Sequence, residues 1–344
     1  MQYRMLGATG VQISRLGLGT MMFGAWGNPD HDESIRIIHA ALDAGINFVD
    51  TADMYSQGES EEIVGKALQG ARRDAIVLAT KLHNPMGPDV NARGNSRRWI
   101  MRAVEGSLRR LRTDHIDLYQ VHRPEPGTDI DETLGALTDL VRQGKIRYAG
   151  SSAFPAHQIV EAQWTAERRG RERFVSEQPP YSILARGIEA DVLPVAERYA
   201  MGTITWSPLA GGWLTGRYRI GADAPGNSRA AWMPARYDLT NPENAIKLEA
   251  VEALAGLADS AGMSLIHLAL GFVLAHRGVT APLIGPRTME QLQSQVGAAD
   301  LVLEDDLLDR IDDIVPPGRT IDTDDAGYLP PALTDATLRR RPQR

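Results

Sequence analysis

Four residues in the first part of the chain carry side chains suited to moving a proton. They are the carboxylate of Asp50, the phenol of Tyr55, the ammonium of Lys81 and the imidazole of His122. Each closes, or closely follows, a short apolar and β-branched run. Singly, each has an ordinary explanation: a helix-capping Asp, a solvated Lys, a satisfied core His. Their shared place at the ends of apolar runs is what makes them a candidate site. At this level the set is open to several kinds of proton-transfer chemistry, hydrolysis or elimination using Asp50, Lys81 and His122 among them. A metal-dependent hydrolase would want His-x-His or further carboxylates. His115, His122 and His157 have no such spacing, so no metal is expected. The chain has no cysteine, which excludes disulfides, thiolate–metal sites and a thiol nucleophile.

The runs that would position these groups are 16–21, 46–52, 76–81, 116–122, 146–153, 174–178, 202–209 and 282–285. They are short and continuously apolar, as expected of strands buried on both faces. Segments of helical period lie between them. In 34–44, Ile35, Ile38, Ala41 and Leu42 share one face and Gly45 suits the stop. Ser96 can cap a helix over 97–111, and 132–143 repeats the logic before Gly144. Eight alternations predict an α/β fold, a closed (β/α)8 TIM barrel over about 16–315, rather than an open doubly wound sheet. The chain reads as one domain, 1–344, with a short N-terminal hairpin in 2–14 and a Pro-rich C-terminal tail, 316–344, over the barrel mouth. Residues 211–243 hold many Gly, Ala, Pro and Asn, and read as a long loop with a job. In such a barrel chemistry sits at the C-terminal ends of the strands. Those ends supply Asp50, Lys81, His122, Ser151, Ser152, Gln178, Tyr181, Trp206, Ser207, Gly285 and Arg287.

Formal net charge is −7, with 43% apolar and 24% charged residues. That balance argues against nucleic-acid or anionic-membrane partners. The Arg339-Arg340-Arg341 run reads as a solvated tail. No continuous apolar stretch marks a signal peptide or a membrane span. A cytoplasmic protein acting on a small molecule fits these features, and a homo-oligomer is compatible with them.

The segment Asn47-Phe48-Val49-Asp50-Thr51-Ala52-Asp53-Met54-Tyr55 with Gly58-Glu59-Ser60-Glu61 resembles the N-terminal signature of the aldo-keto reductases. Thr80-Lys81, Asp117-Leu118-Tyr119-Gln120-Val121-His122, Gly150-Ser151-Ser152-Ala153-Phe154, Trp206-Ser207-Pro208-Leu209 and Ile284-Gly285-Pro286-Arg287 with Glu290-Gln291-Leu292 match further motifs in order. The likeness runs from about Leu16 to Ala299. It is nearest the bacterial branch similar to potassium-channel β-subunits and glyceraldehyde-phosphate-type reductases. It implies a nicotinamide cofactor bound without a Rossmann domain and reduction of aldehydes or ketones, and Arg287, placed to pair with a 2′-phosphate, makes NADPH the expected form. Consistently, Gly17-Leu18-Gly19 lacks the third glycine of a dinucleotide fingerprint. Some related channel subunits carry Asn where this chain has His122. An enzyme is thereby favoured over the alternative, a nicotinamide-binding regulatory or partner subunit with weak turnover.

On that resemblance Tyr55 is the proton donor, its pKa lowered by Lys81; Asp50 orients Lys81; His122 polarises the substrate oxygen. Cofactor contacts are expected from Thr20, Met21, Asp50, Ser152, Gln178, Trp206, Ser207, Pro208, Leu209, Gly211 and Arg217. At the phosphate and adenosine end they are expected from Gly285, Arg287, Gln291, Ser294 and Gln295. Trp206 would stack on the nicotinamide, and Arg287, beside a helix starting near Thr288, would take the 2′-phosphate. Met22, Phe23, Trp26 and Met54 would line the substrate pocket with Tyr55 and His122, and Trp213, Trp232 and Tyr328 would lie near the mouth. Arg93, Arg97 and Arg98 are candidates for an anionic substrate group. Three positions depart from the usual pattern: Ala153 and Pro179 where Asn is common or frequent, and Gln295 for a common Asn near the adenine.

Overall fold

The computed structural model describes residues 1–221 and 233–340. Eight parallel strands close into a barrel. They are β3 (Gly17–Gly19), β4 (Phe48–Asp50), β5 (Val77–Leu82), β6 (Ile116–Val121), β7 (Ile146–Ser152), β8 (Phe174–Gln178), β9 (Gly202–Thr205) and β10 (Ala281–Ile284). Neighbours in sequence pair in space, and β10 pairs with both β9 and β3 to complete the ring. The expected (β/α)8 TIM barrel is therefore the observed architecture. Before it, β1 (Tyr3–Met5) and β2 (Gln12–Ser14) form an antiparallel hairpin.

Strand side chains alternate with a period of two. Phe48 and Asp50 thus share a face, as do Ala79 and Lys81, and Leu118 and Gln120. The first of each pair belongs to a buried apolar cluster with Ile204, Ala281 and Leu283. Leu6 and Ile13 of the hairpin join that cluster, fully buried, and plug the bottom of the barrel. One residue pair further along each strand, the interior turns polar, with Asp50, Lys81, Gln120 and Gln178 all buried. Gly150 makes this crowding practicable on β7. A Cβ there would lie 2.5 Å from Ser176 Oγ and 3.1 Å from Gln120 Cγ.

Helices wrap the ring. His31–Asp43 is capped by Asp30 rather than starting at Ser34, so the expected helix begins one turn earlier. Arg97–Leu111 starts where expected, with Ser96 Oγ accepting from the Trp99 N–H. Ile130–Arg142 is capped by Asp129. Among the described residues no single helix is long and apolar enough to cross a membrane. The tail leaves the barrel as a strap across the mouth. Arg186 N–H donates to Arg319 O, Ile321 N–H to Leu184 O, and Arg123 Nη1 to Gly327 O at 3.0 Å. Buried Lys247 holds this strap by pairing with both Asp322 and Asp325.

Candidate active site

The polar upper layer of the barrel opens into a cavity of about 600 Å³. Asp50 ends β4 and Lys81 lies on neighbouring β5, fully buried, so the two form an ion pair inside the ring. Lys81 has three N–H donors and each has an acceptor: Asp50 Oδ1, Thr51 O at 2.8 Å and Tyr55 Oη at 3.2 Å. Because the Tyr55 oxygen accepts from Lys81, its own proton is left to be donated elsewhere. The loop that brings Tyr55 there is tightly wound, with Ser56, Gln57 and Gly58 at φ 47°, 57° and 99°. Only glycine suits the last of these, since a Cβ would also sit 2.7 Å from Arg110 Cδ. Ser56 Oγ ties the loop to the β3 side by donating to Phe23 O and accepting from the Trp26 N–H.

Asp50 is held at both oxygens. Gln120 Nε2 and Gln178 Nε2 donate to its Oδ2 at 3.0 and 2.8 Å. Gln178 Nε2 also donates to Gln120 Oε1 at 3.1 Å. Burial alone would lower Lys81, but Asp50 and Tyr55 together hold it above the usual lysine value. Burial pushes the Tyr55 phenol up, and Lys81 pulls it down without cancelling that rise. The expected lowering of Tyr55 is thus present as an influence but does not win, because a phenolate in this dry layer is costly.

His122 follows β6 and meets Tyr55 edge-on, ring centroids 5.9 Å apart. Burial first, then the nearby Lys81 and Arg123 charges, hold it well below the usual histidine value, so it is neutral. Asn84 Nδ2 lies 3.2 Å from His122 Nδ1. An amide nitrogen can only donate, so Nδ1 is the acceptor and the imidazole proton sits on Nε2. The site therefore presents two donors, a phenol and a neutral imidazole, and can protonate and polarise one oxygen of a bound molecule.

The cavity runs outward from this centre. Its wall contains Thr20, Met21, Met22, Trp26, Asp50, Met54, Tyr55, His122, Ser152, Gln178 and Trp206. Further along lie Ser207, Pro208, Leu209, Gly211, Arg217, Gly285, Arg287, Gln291, Ser294 and Gln295. Lys81 stands behind the wall rather than on it. The helix Met289–Val296 is capped by Thr288, as expected.

Several expected residues lie elsewhere. Phe23 is fully buried in the outer core, because a turn with Phe23 N–H donating to Thr20 O folds its ring inward. Trp213 stacks on Tyr237 and packs at a tilt against Tyr218 rather than facing the cavity. Tyr328 lines a separate recess with Pro180 and Ala326. Ser151 faces outward to Glu177, and Tyr181 is buried with its hydroxyl donating to Glu189. Arg97 pairs with Asp139, and Arg93 and Arg98 are exposed away from the cavity. Trp232 lies outside the described residues.

Three further residues contribute to the site: Gln120, Arg123 and Asn84. Gln120 was legible through its period-two spacing from Leu118. Arg123 stood directly after His122 and now lines the cavity. Asn84 is a loop residue whose contact with His122 had no local signal.

The chain matches the profile of the Aldo/keto reductase family over residues 15–316. It is 42% identical to the "Uncharacterized oxidoreductase YrpG" of Bacillus subtilis, across 92% of this chain and 96% of that one. It is 38% identical to the "Aldo-keto reductase YhdN" of the same organism, across 86% and 87%. It is also 36% identical to a "Probable voltage-gated potassium channel subunit beta" of Arabidopsis thaliana, across 92% and 97%.

Proposed function

Since the chain belongs to the aldo/keto reductase family and is a carbonyl oxidoreductase by that membership, we propose that it reduces aldehydes or ketones with NADPH and that Tyr55 supplies the proton. The observation that carries this reading is the Lys81 Nζ to Tyr55 Oη contact of 3.2 Å at the wall of the cavity. When bound, the nicotinamide supplies a hydride to the carbonyl carbon. The chain's own residues manage the oxygen. Tyr55 donates its proton there, and Lys81 stabilises the phenolate left behind. His122, neutral with its proton on Nε2, donates a second hydrogen bond to the same oxygen and offsets its developing charge. Asp50, locked by Gln120 and Gln178, keeps Lys81 charged and in place.

The donor set suits a nicotinamide cofactor. Ser152 Oγ already donates to Gln178 O at 2.8 Å, and the Gln178 amide nitrogen is spent on Asp50 and Gln120. Both side chains therefore offer acceptors to the cavity, which a carboxamide NH₂ can satisfy. At the other end Gln295 Oε1 is buried without a hydrogen-bond donor. An exocyclic adenine amine would supply one. Arg217 and Arg287 on the wall between offer charge to phosphates.

Tyr55→Phe tests the reading. NADPH should still quench tryptophan fluorescence with a similar dissociation constant, while turnover of a simple aromatic aldehyde falls roughly 10²–10⁴-fold. Near-normal turnover in that variant would remove Tyr55 from the role.

A further inference from the structure

We propose that Arg123 is a specificity-determining residue that selects carbonyl substrates bearing a carboxylate, an inference that rests on the reductase reading of the same cavity. Arg123 lines the cavity beside His122 and Tyr55. Its backbone carbonyl accepts from Asn95 Nδ2 at 2.9 Å, which anchors the residue. Its guanidinium donates one hydrogen bond, from Nη1 to Gly327 O, and lies 5.9 Å from the centre of the Trp206 ring. No carboxylate among the described residues pairs with it, and its other donors have no acceptor there.

A half-buried cation without a counter-charge is unfavourable. Other partly buried arginines of this fold resolve that problem with Asp or Glu, as Arg110 does with Glu61 and Arg186 with Glu189 and Asp312, or, like Arg4, with two backbone carbonyls. Glu177 is the carboxyl nearest in influence to Arg123, and it does not serve. Its oxygens take Ser151 Oγ and the Phe154 N–H, and burial pushes it up to about 8, so it is mostly protonated at neutral pH. The missing charge can therefore arrive with the ligand. The rest of this end of the cavity is apolar or aromatic, with Met22, Trp26 and Met54 on the wall. One cation in an apolar setting favours a monoanion over a dianionic phosphate, and the planar guanidinium fork matches the two oxygens of a carboxylate.

The test compares para-carboxybenzaldehyde with its neutral analogue para-carbamoylbenzaldehyde, using the full-length protein and NADPH. Wild type should show the higher kcat/KM for the charged aldehyde. Arg123→Gln should reduce that ratio by roughly tenfold or more, mainly through KM, as expected for loss of a hydrogen bond to a charged group. Arg123→Lys should retain part of the preference, which separates loss of charge from loss of packing against Gly327. Calorimetry with para-(hydroxymethyl)benzoate and NADP gives a readout independent of turnover, and its affinity should fall in parallel in Arg123→Gln. An unchanged substrate ratio and an unchanged acid affinity in Arg123→Gln would overturn the proposal. If wild type turns over neither aldehyde, the reductase reading fails, and the acid affinity alone then decides whether Arg123 is an anion site.

Discussion

Gln178 Nε2 lies 2.8 Å from Asp50 Oδ2, although 128 positions separate the two residues. With Gln120 it forms a lattice of two amides around one carboxylate. Gln178 reaches the cavity, whereas Gln120 is fully buried behind it and touches no ligand space. Gln120 is therefore a positioning residue: it acts on Lys81 and Tyr55 through Asp50. Gln120→Leu should lower kcat about tenfold, in line with the cost of one lost buried hydrogen bond to a charged group. The NADPH dissociation constant should stay within about twofold of wild type. A purely structural role would instead lower the melting temperature while leaving kcat of the folded fraction intact.

Arg287 is clamped on both sides of its peptide unit. Its N–H donates to Gln291 Oε1 at 2.9 Å and its carbonyl accepts from Asn28 Nδ2 at 2.8 Å. This fixes the side chain's origin on the cavity wall beside the helix Met289–Val296. Arg287→Ala should weaken NADPH binding roughly tenfold or more and NADH binding much less, since a charge-assisted pair with a 2′-phosphate is available only to the former. Fluorescence titrations with both cofactors measure the ratio. Equal losses for the two would show that Arg287 reads the shared part of the dinucleotide.

The sequence carried much of this arrangement because a barrel built from short buried strands leaves few choices. Each apolar run must be a strand, and the polar residue that ends it must face the mouth or cap a helix. Asp50, Lys81, His122, Ser152 and Gln178 were legible on that ground. Phe23 was misread because adjacency to Met21 and Met22 says nothing about which way a turn rotates a ring. Trp213 was misread for a related reason: an aromatic in a loop can pack against other loop aromatics, here Tyr218 and Tyr237, instead of against a ligand. The expected fall in the Tyr55 pKa assumed that the Lys81 charge would prevail. The depth of burial that outweighs it is a property of the closed layer, not of any local motif.

Glu177 sits fully buried at the end of β8, raised by burial from 4.5 to about 8. Between those values the folded chain holds a proton that the unfolded chain has released. The contribution to stability is therefore full below about 4.5 and is lost as pH rises toward about 8, a change of the order of a few kcal/mol. Glu177→Gln removes the titration. Its melting temperature relative to wild type should rise steadily from about pH 5 to about pH 8. A difference independent of pH would mean that Glu177 is ionised throughout, and would return it as a counter-charge to Arg123.

Lys247 is 1% exposed and its Nζ lies 2.6 Å from both Asp322 Oδ2 and Asp325 Oδ2. Asp325 also pairs with Arg236, so the strap is fastened to both the helix Pro242–Ser260 and the turn before it. Removing the lysine leaves two largely buried carboxylates with one remaining cation, and breaking a buried pair in this way costs about 3–5 kcal/mol. Lys247→Met should therefore lower the melting temperature and raise hydrogen exchange selectively over residues 316–328. The same strap supplies the Gly327 carbonyl that holds Arg123. KM for a carboxylated aldehyde should accordingly rise more than KM for its neutral analogue. Exchange that rises evenly across the barrel would show that Lys247 stabilises the whole fold rather than fastening the strap.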